Sequence, residues 1–126
     1  MKRFWIGIFI LSLLLAGSIL IHTTLEKIVF PISSDLDLAC KAALSEDWAS
    51  AQDLAQHAWV RWETFHHLIA AFADHSPMDE VDGLFRELNI YAATRENPHF
   101  SATCTHLRFM TSAIAESHRL SWWNLL

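Results

Sequence analysis

Apolar positions recur at a helical period along most of this chain. The longest run is Trp48, Ala51, Ala55, Ala58, Trp62, Phe65, Ile69 and Phe72, spaced alternately by three and four residues. That spacing predicts one central helix with a continuous seam, roughly 40 Å long at about 1.5 Å per residue. Leu54, Trp59 and Leu68 flank the seam and widen it to a face that suits more than one neighbour. Before it, Ser33 or Ser34 is a cap for a first helix that has Asp35 and Asp37 in its opening turn. That helix runs to Leu44, with Leu36, Ala39, Cys40, Ala43 and Leu44 on its apolar side. Ser45-Glu46-Asp47 reads as a turn, with Ser45 or Asp47 capping the central helix. After it, Ser76 followed by Pro77 and Asp79 predicts another helix start. Met78, Val81, Leu84, Phe85, Leu88 and Ala92 face inward from that third helix. Asn97-Pro98 repeats the start chemistry for a last helix carrying Phe100, Leu107, Met110 and Ile114, with Cys104 and Ala113 beside them. Short links make such helices antiparallel neighbours. The expectation is an all-α fold, an antiparallel bundle of three to four helices over residues 33–126. Its core draws on Trp48, Ala55, Trp62, Phe65, Ile69, Phe72, Leu88 and Leu107.

The N-terminus follows a different pattern. From Phe4 to Ile21 the chain carries no charge and is apolar all round, interrupted only by small residues and Ser12. About 18 such residues suffice for a short transmembrane helix. Residues 1–23 are therefore expected to be an uncleaved signal anchor, in contact with the lipid bilayer through residues 4–21. Lys2 and Arg3 precede the span and hold the N-terminus in the cytoplasm. Trp5 then lies at the inner interface and the bundle lies outside the cell membrane. Ala16-Gly17-Ser18 offers small residues for signal-peptide cleavage, the competing reading, but Ile19, Leu20 and Ile21 continue the apolar run past it. Residues 24–32 read as a linker, and Pro31 predicts a kink or break. An antiparallel path returns the C-terminal tail to the membrane side. There Trp122 and Trp123 either serve as interfacial anchors or finish the core.

Charge narrows the function classes. From residue 24 onward seven basic residues stand against fourteen acidic ones, a net −7, so a basic nucleic-acid footprint is absent. Eight histidines raise the question of a metal. Glu63 and His66 have the i, i+3 spacing used in di-iron bundles, but Glu63 falls on the outer side of the seam. Glu96 and His99 straddle a helix start, and Cys104 with His106 lacks the further ligands of a closed zinc site. His57 sits between Asp53 and Arg61 at i, i+4 spacings, an ordinary surface arrangement. His66 reads as a polar edge of the seam and His67 as solvated. No phosphate loop, dinucleotide fingerprint or nucleophile with a positioned base appears. The reading is therefore a protein that is not an enzyme and needs no cofactor. Cys40 and Cys104 fall on the first and last bundle helices, where they are either small buried thiols or a disulfide closing a long loop.

The junction from Ala42 to Ala51, with Trp48 behind an acidic turn, is similar to the turn of one tetratricopeptide-type hairpin; no second copy follows. Nearly the whole chain resembles a family of small bacterial proteins catalogued as a domain of unknown function, number 4363. The likeness rests on Met1-Lys2-Arg3-Phe4-Trp5 opening a single span, Glu46-Asp47-Trp48 with Ala51, Trp62, His75 with Asp79-Glu80-Val81-Asp82, and a terminal Asn124-Leu125-Leu126. It implies a membrane-anchored helical domain. Because members often lie beside genes for multi-pass membrane proteins, it implies such a protein as partner. The function expected is a non-enzymatic, membrane-anchored interaction or scaffold module. The alternative is an extracytoplasmic domain that senses a ligand or metal.

Overall fold

Lys2 to Leu44 form one uninterrupted helix, α1, with Pro31 inside it. The computed structural model describes the backbone of residues 1–70 and 75–123, and the side chains of these except at positions 21, 25, 69 and 118–123. Three more helices follow: α2 (Trp48–Ile69), α3 (His75–Thr94) and α4 (Asn97–Trp123). Among the described residues there is no strand. α1 packs on α2 and α4, and α3 packs on the same two, so the four helices close a ring in chain order. Arg61 on α2 reaches Asp35 on α1, Trp62 on α2 reaches Asp82 on α3, and Arg108 on α4 reaches Asp37 on α1. As residue numbers rise on one helix they fall on its neighbour, which makes the bundle up-down-up-down.

The break expected at Pro31, with a new helix starting at Ser33, does not occur. Proline removes the hydrogen bond to the carbonyl four residues back and costs about 3 kcal/mol inside a helix. Here apolar burial continues across it: Val29 and Ile32 are both in the core, with Ile28 packed against it. Residues 24–32 are thus helical, and the later ones belong to the bundle. Ser33 and Ser34 lie in mid-helix. Asp35 and Asp37 pair across to the neighbouring helices instead of serving a first turn.

The core is graded by size. At the α1–α2 hairpin end Ala39, Ala43, Ala51, Ala55 and Ala58 are all buried and let the two helices approach closely. Toward the other end Ile32, Leu36, Trp62 and Phe65 fill a wider space. α3 contributes Met78, Val81, Leu84, Phe85, Leu88 and Ala92, and α4 contributes Phe100, Cys104, Leu107 and Ile114. Trp48 is half-buried and stands edge-on to Phe100, with ring centroids 5.5 Å apart. Trp59 meets Phe85 in the same way at 5.4 Å. Leu44 and Leu68, placed on apolar faces by the periodicity, are exposed, and so is Ala113. Thr111 is fully buried, and its hydroxyl donates to the Leu107 carbonyl at 2.8 Å, which removes the cost of the polar atom. Phe72 lies outside the described residues, as does the side chain of Ile69.

Both described turns are built alike. After α1 the Asp47 N–H donates to the Ala42 carbonyl and the Glu46 N–H to Ala43, a Schellman closure with Glu46 at φ 60°. Asp47 then caps α2 by accepting from the Ser50 N–H. After α3 the Glu96 N–H donates to the Tyr91 carbonyl, with Arg95 at φ 54°. The Glu96 carbonyl accepts from Phe100, so Asn97 is the first residue of α4 and not its side-chain cap. The described part of α3 opens at His75, and Ser76 and Pro77 are helical within it.

The core and the turns each yield a prediction. In full-length protein in detergent, Trp62→Ala is expected to lower stability by about 3–5 kcal/mol, by loss of buried area and creation of a cavity. The exposed His67→Ala is expected to stay within about 0.5 kcal/mol of neutral. Equal melting shifts would refute this placement of the core. Glu46→Gly relieves a left-handed backbone carried by a side-chain residue and is expected to stabilise by about 0.5–1 kcal/mol, read as a higher denaturant midpoint at unchanged slope.

Candidate functional site

Two features stand out beyond plain packing, one between α2 and α3 and one where α1 leaves the bundle. The first begins with the need of a buried indole for an acceptor. Trp62 is fully buried on α2, and its Nε1–H donates to Asp82 Oδ1 of α3 at 2.6 Å. His66, one turn further along α2, brings Nδ1 to 3.4 Å from the same carboxylate. The His66 and Asp82 side chains retain 23% and 19% exposure, so the pair is partly shielded but reachable by water. The arrangement orients an imidazole with a carboxylate and ties α2 to α3.

The second feature is an open groove of about 950 Å³ between α1 and α4. Val29, Phe30 and Pro31 of α1 and Ala115 of α4 supply its apolar surface. His22, Glu26, Lys27 and Ser33 of α1, with Ser112 and Glu116 of α4, supply the polar one. His22 Nε2 lies 3.5 Å from Glu26 one turn on. An apolar floor with a few polar groups at its rim is the composition of a recognition surface. The groove opens directly after the apolar run of α1. That run is the one described helix long and apolar enough to cross a membrane, and its window has no buried residues. Trp5, within it, is 69% exposed. The helical backbone of α4 continues through Trp123. The side chains of Trp122 and Trp123, and residues 124–126 altogether, lie outside the described part.

The family model described as Domain of unknown function (DUF4363) matches residues 19–125. The chain belongs to that family. The match takes in the whole helical ring and only the last residues of the apolar run, so the DUF4363 unit is the bundle with the end of that run. No curated relative and no solved structure matches the chain.

Within the DUF4363 bundle the sequence-derived positions fall as follows. Ala55, Trp62, Phe65, Leu88 and Leu107 are buried and Trp48 is half-buried. Glu63 is exposed while His66 turns to Asp82, so these two do not converge. Arg61 bypasses His57 for Asp35 at 3.0 Å, and His57 is left 3.9 Å from Asp53. His99 stacks on Tyr91 with centroids 5.2 Å apart and lies 3.3 Å from Glu96. Among the described residues no group of three or more His, Cys, Asp and Glu is placed to hold a metal ion. Cys40 is half-buried and Cys104 buried, both as free thiols. Burial pushes the Cys104 thiol up to about 12, with the charge of Cys40 adding to that direction. A hydrogen bond from Lys41 at 2.9 Å, aided by the charges of Lys41 and Arg108, holds the Asp37 carboxyl below its ordinary value against a smaller opposing effect of desolvation.

Sequence reasoning missed the role of Asp82, which was visible only as part of an acidic run. A tryptophan in mid-seam signals that some acceptor must exist, but not which one. The groove was missed because it depends on α1 being continuous.

The Trp62–Asp82 contact gives a test. Asp82→Ala leaves the indole N–H without its acceptor and is expected to cost about 1–3 kcal/mol. In a double-mutant cycle with Trp62→Phe, the two changes should couple by about 1 kcal/mol or more. Strict additivity of the two melting shifts would mean that the 2.6 Å contact contributes nothing.

Proposed function

We propose that this protein is a non-enzymatic, membrane-anchored helical module that binds or scaffolds a neighbouring membrane protein. The observation that carries the reading is the continuity of α1. One helix of about 65 Å holds exposed apolar residues at its start and contributes Val29, Ile32, Leu36, Ala39 and Ala43 to the core near its end. Bundle and anchor then share a backbone, and the bundle stands at a set height above the bilayer. Lys2 and Arg3 keep the N-terminus in the cytoplasm and the bundle on the outer side of the cell membrane. The acidic bundle is repelled by anionic headgroups, so its position is set by the helix and not by adhesion to lipid. The groove between α1 and α4 is the first protein surface above the membrane. A multi-pass partner reaches it with an extracytoplasmic loop or helix end that sets an apolar side chain against Phe30 and polar groups against Glu26 and Glu116.

Two measurements test this reading. A C-terminal alkaline phosphatase fusion is expected to be active in cells; an inactive one, together with a bright cytoplasmic fluorescent fusion at the same point, would reverse the orientation. Photo-crosslinkers placed at Phe30 and Glu116 are expected to capture one recurring membrane protein, whereas a probe at the exposed Val60 of α2 captures none. The same weak, diffuse labelling from all three positions would rule out the groove as a partner surface.

A further inference from the structure

Two cysteines lie on the seam between α1 and α4, bracketed by two cross-links. Above them Asn97, the first residue of α4, donates from Nδ2 to the backbone carbonyl of Ala43 at 3.1 Å. A short side chain that reaches a main-chain atom of the other helix requires the two backbones to be close there. Below them Arg108 places Nη1 3.1 Å from Asp37 Oδ1 and Nε 3.4 Å from Ser33 Oγ. On α1 the order is Asp37, Cys40, Ala43; on α4 it is Asn97, Ser101, Cys104, Arg108. Each set is spaced by three or four residues and so runs along one side of its helix. Cys40 is three residues from either pinned position on α1, and Cys104 falls between the pinned positions on α4. The two therefore sit at the same level of an antiparallel contact. That the charge of Cys40 acts on Cys104 agrees with this placement. Packed helices with axes about 8–10 Å apart bring facing backbones into the range of about 4.4–6.8 Å between Cα atoms that a disulfide spans.

We propose that Cys40 and Cys104 are a redox modification site, forming an intrachain disulfide that fastens α4 to the anchor helix. The oxidant is a small or protein disulfide of the kind an oxidising compartment supplies. Cys40 is the half-exposed member and is the first to attack the oxidant. Its sulfur displaces one thiol from the oxidant and forms a mixed disulfide. Cys104 Sγ then attacks Cys40 Sγ, the new bond forms, and the second half of the oxidant leaves as a thiol. The two cysteine protons depart with the two released thiols, and the external disulfide is reduced by the two electrons that the protein loses. Cys104 does not begin the exchange, because burial keeps it a thiol and out of reach. The bond closes the chain between residues 40 and 104 into a loop containing all of α2 and α3, so the ring can no longer open at its α1–α4 seam.

The chemistry is independent of the orientation and partner proposed above, since purified full-length protein in detergent is sufficient to test it. The protein is incubated with oxidised glutathione, quenched with a maleimide, and mapped by mass spectrometry without reduction. The expected product has lost about 2 Da, takes up no maleimide, and yields one linked peptide pair containing Cys40 and Cys104. Cys104→Ser is expected to stop at a glutathione adduct on Cys40. Cys40→Ser is expected to leave Cys104 unmodified while the protein is folded. Oxidised wild type should melt several degrees above either variant and lose that gain on reduction. Wild type that ends with glutathione on Cys40 alone, with both thiols still free, or with a Cys40–Cys40 link between two chains overturns the proposal.

Discussion

One continuous helix carries two patterns of apolar residues, and the remaining architecture is arranged around that constraint. From Phe4 to about residue 21 α1 is apolar on all sides; from Ile28 its buried apolar residues follow one stripe. A helix satisfies its backbone hydrogen bonds internally, and here the same pattern continues beyond the apolar run into the bundle. Pro31 falls just past this transition, and burial of Val29 and Ile32 on both sides keeps the helix intact. The other three helices are shorter and complete a ring whose first member is already fixed.

Rotation of the ring about α1 is set by charges that contribute little energy singly. Asp35 faces α2 through Arg61, and Asp37 faces α4 through Arg108. The two carboxylates lie two residues apart, on opposite flanks of the core stripe, so they fix which helix stands on which side. Exposed ion pairs of this kind are worth about 0–1 kcal/mol each. Their effect is on orientation, while Trp62, Phe65, Phe85 and Phe100 supply the burial. The α2–α3 side is joined differently, by the indole–carboxylate contact of Trp62 and Asp82.

The α1–α4 seam gathers the features that go beyond packing. It holds the groove at its lower end, Arg108 with Asp37 and Ser33 midway, the two cysteines above, and the Asn97 contact at the top. α4 is last in the chain, and its attachment to α1 closes the ring.

Local periodicity was enough to read helices, inward faces and the apolar run from the sequence. Both 3.6-residue spacing and continuous apolarity are written in neighbouring residues, so Val81, Phe85, Leu88, Phe100 and Leu107 are legible without coordinates. Turn chemistry was legible for the same reason: Asp47 caps the helix it precedes. What tertiary structure alone decided are the outcomes in which a distant group competes with a local rule. Pro31 and Ser33 signal a helix boundary, yet packing of residues on both sides keeps the helix whole. Asn97 has the residue type of a cap but spends its amide on a carbonyl 54 positions away. Asp82 looks like one acid among several until a buried indole claims it. Leu44 and Leu68 lie on apolar faces by spacing but remain exposed, because periodicity gives the direction of a side chain and not whether a neighbouring helix extends far enough to cover it.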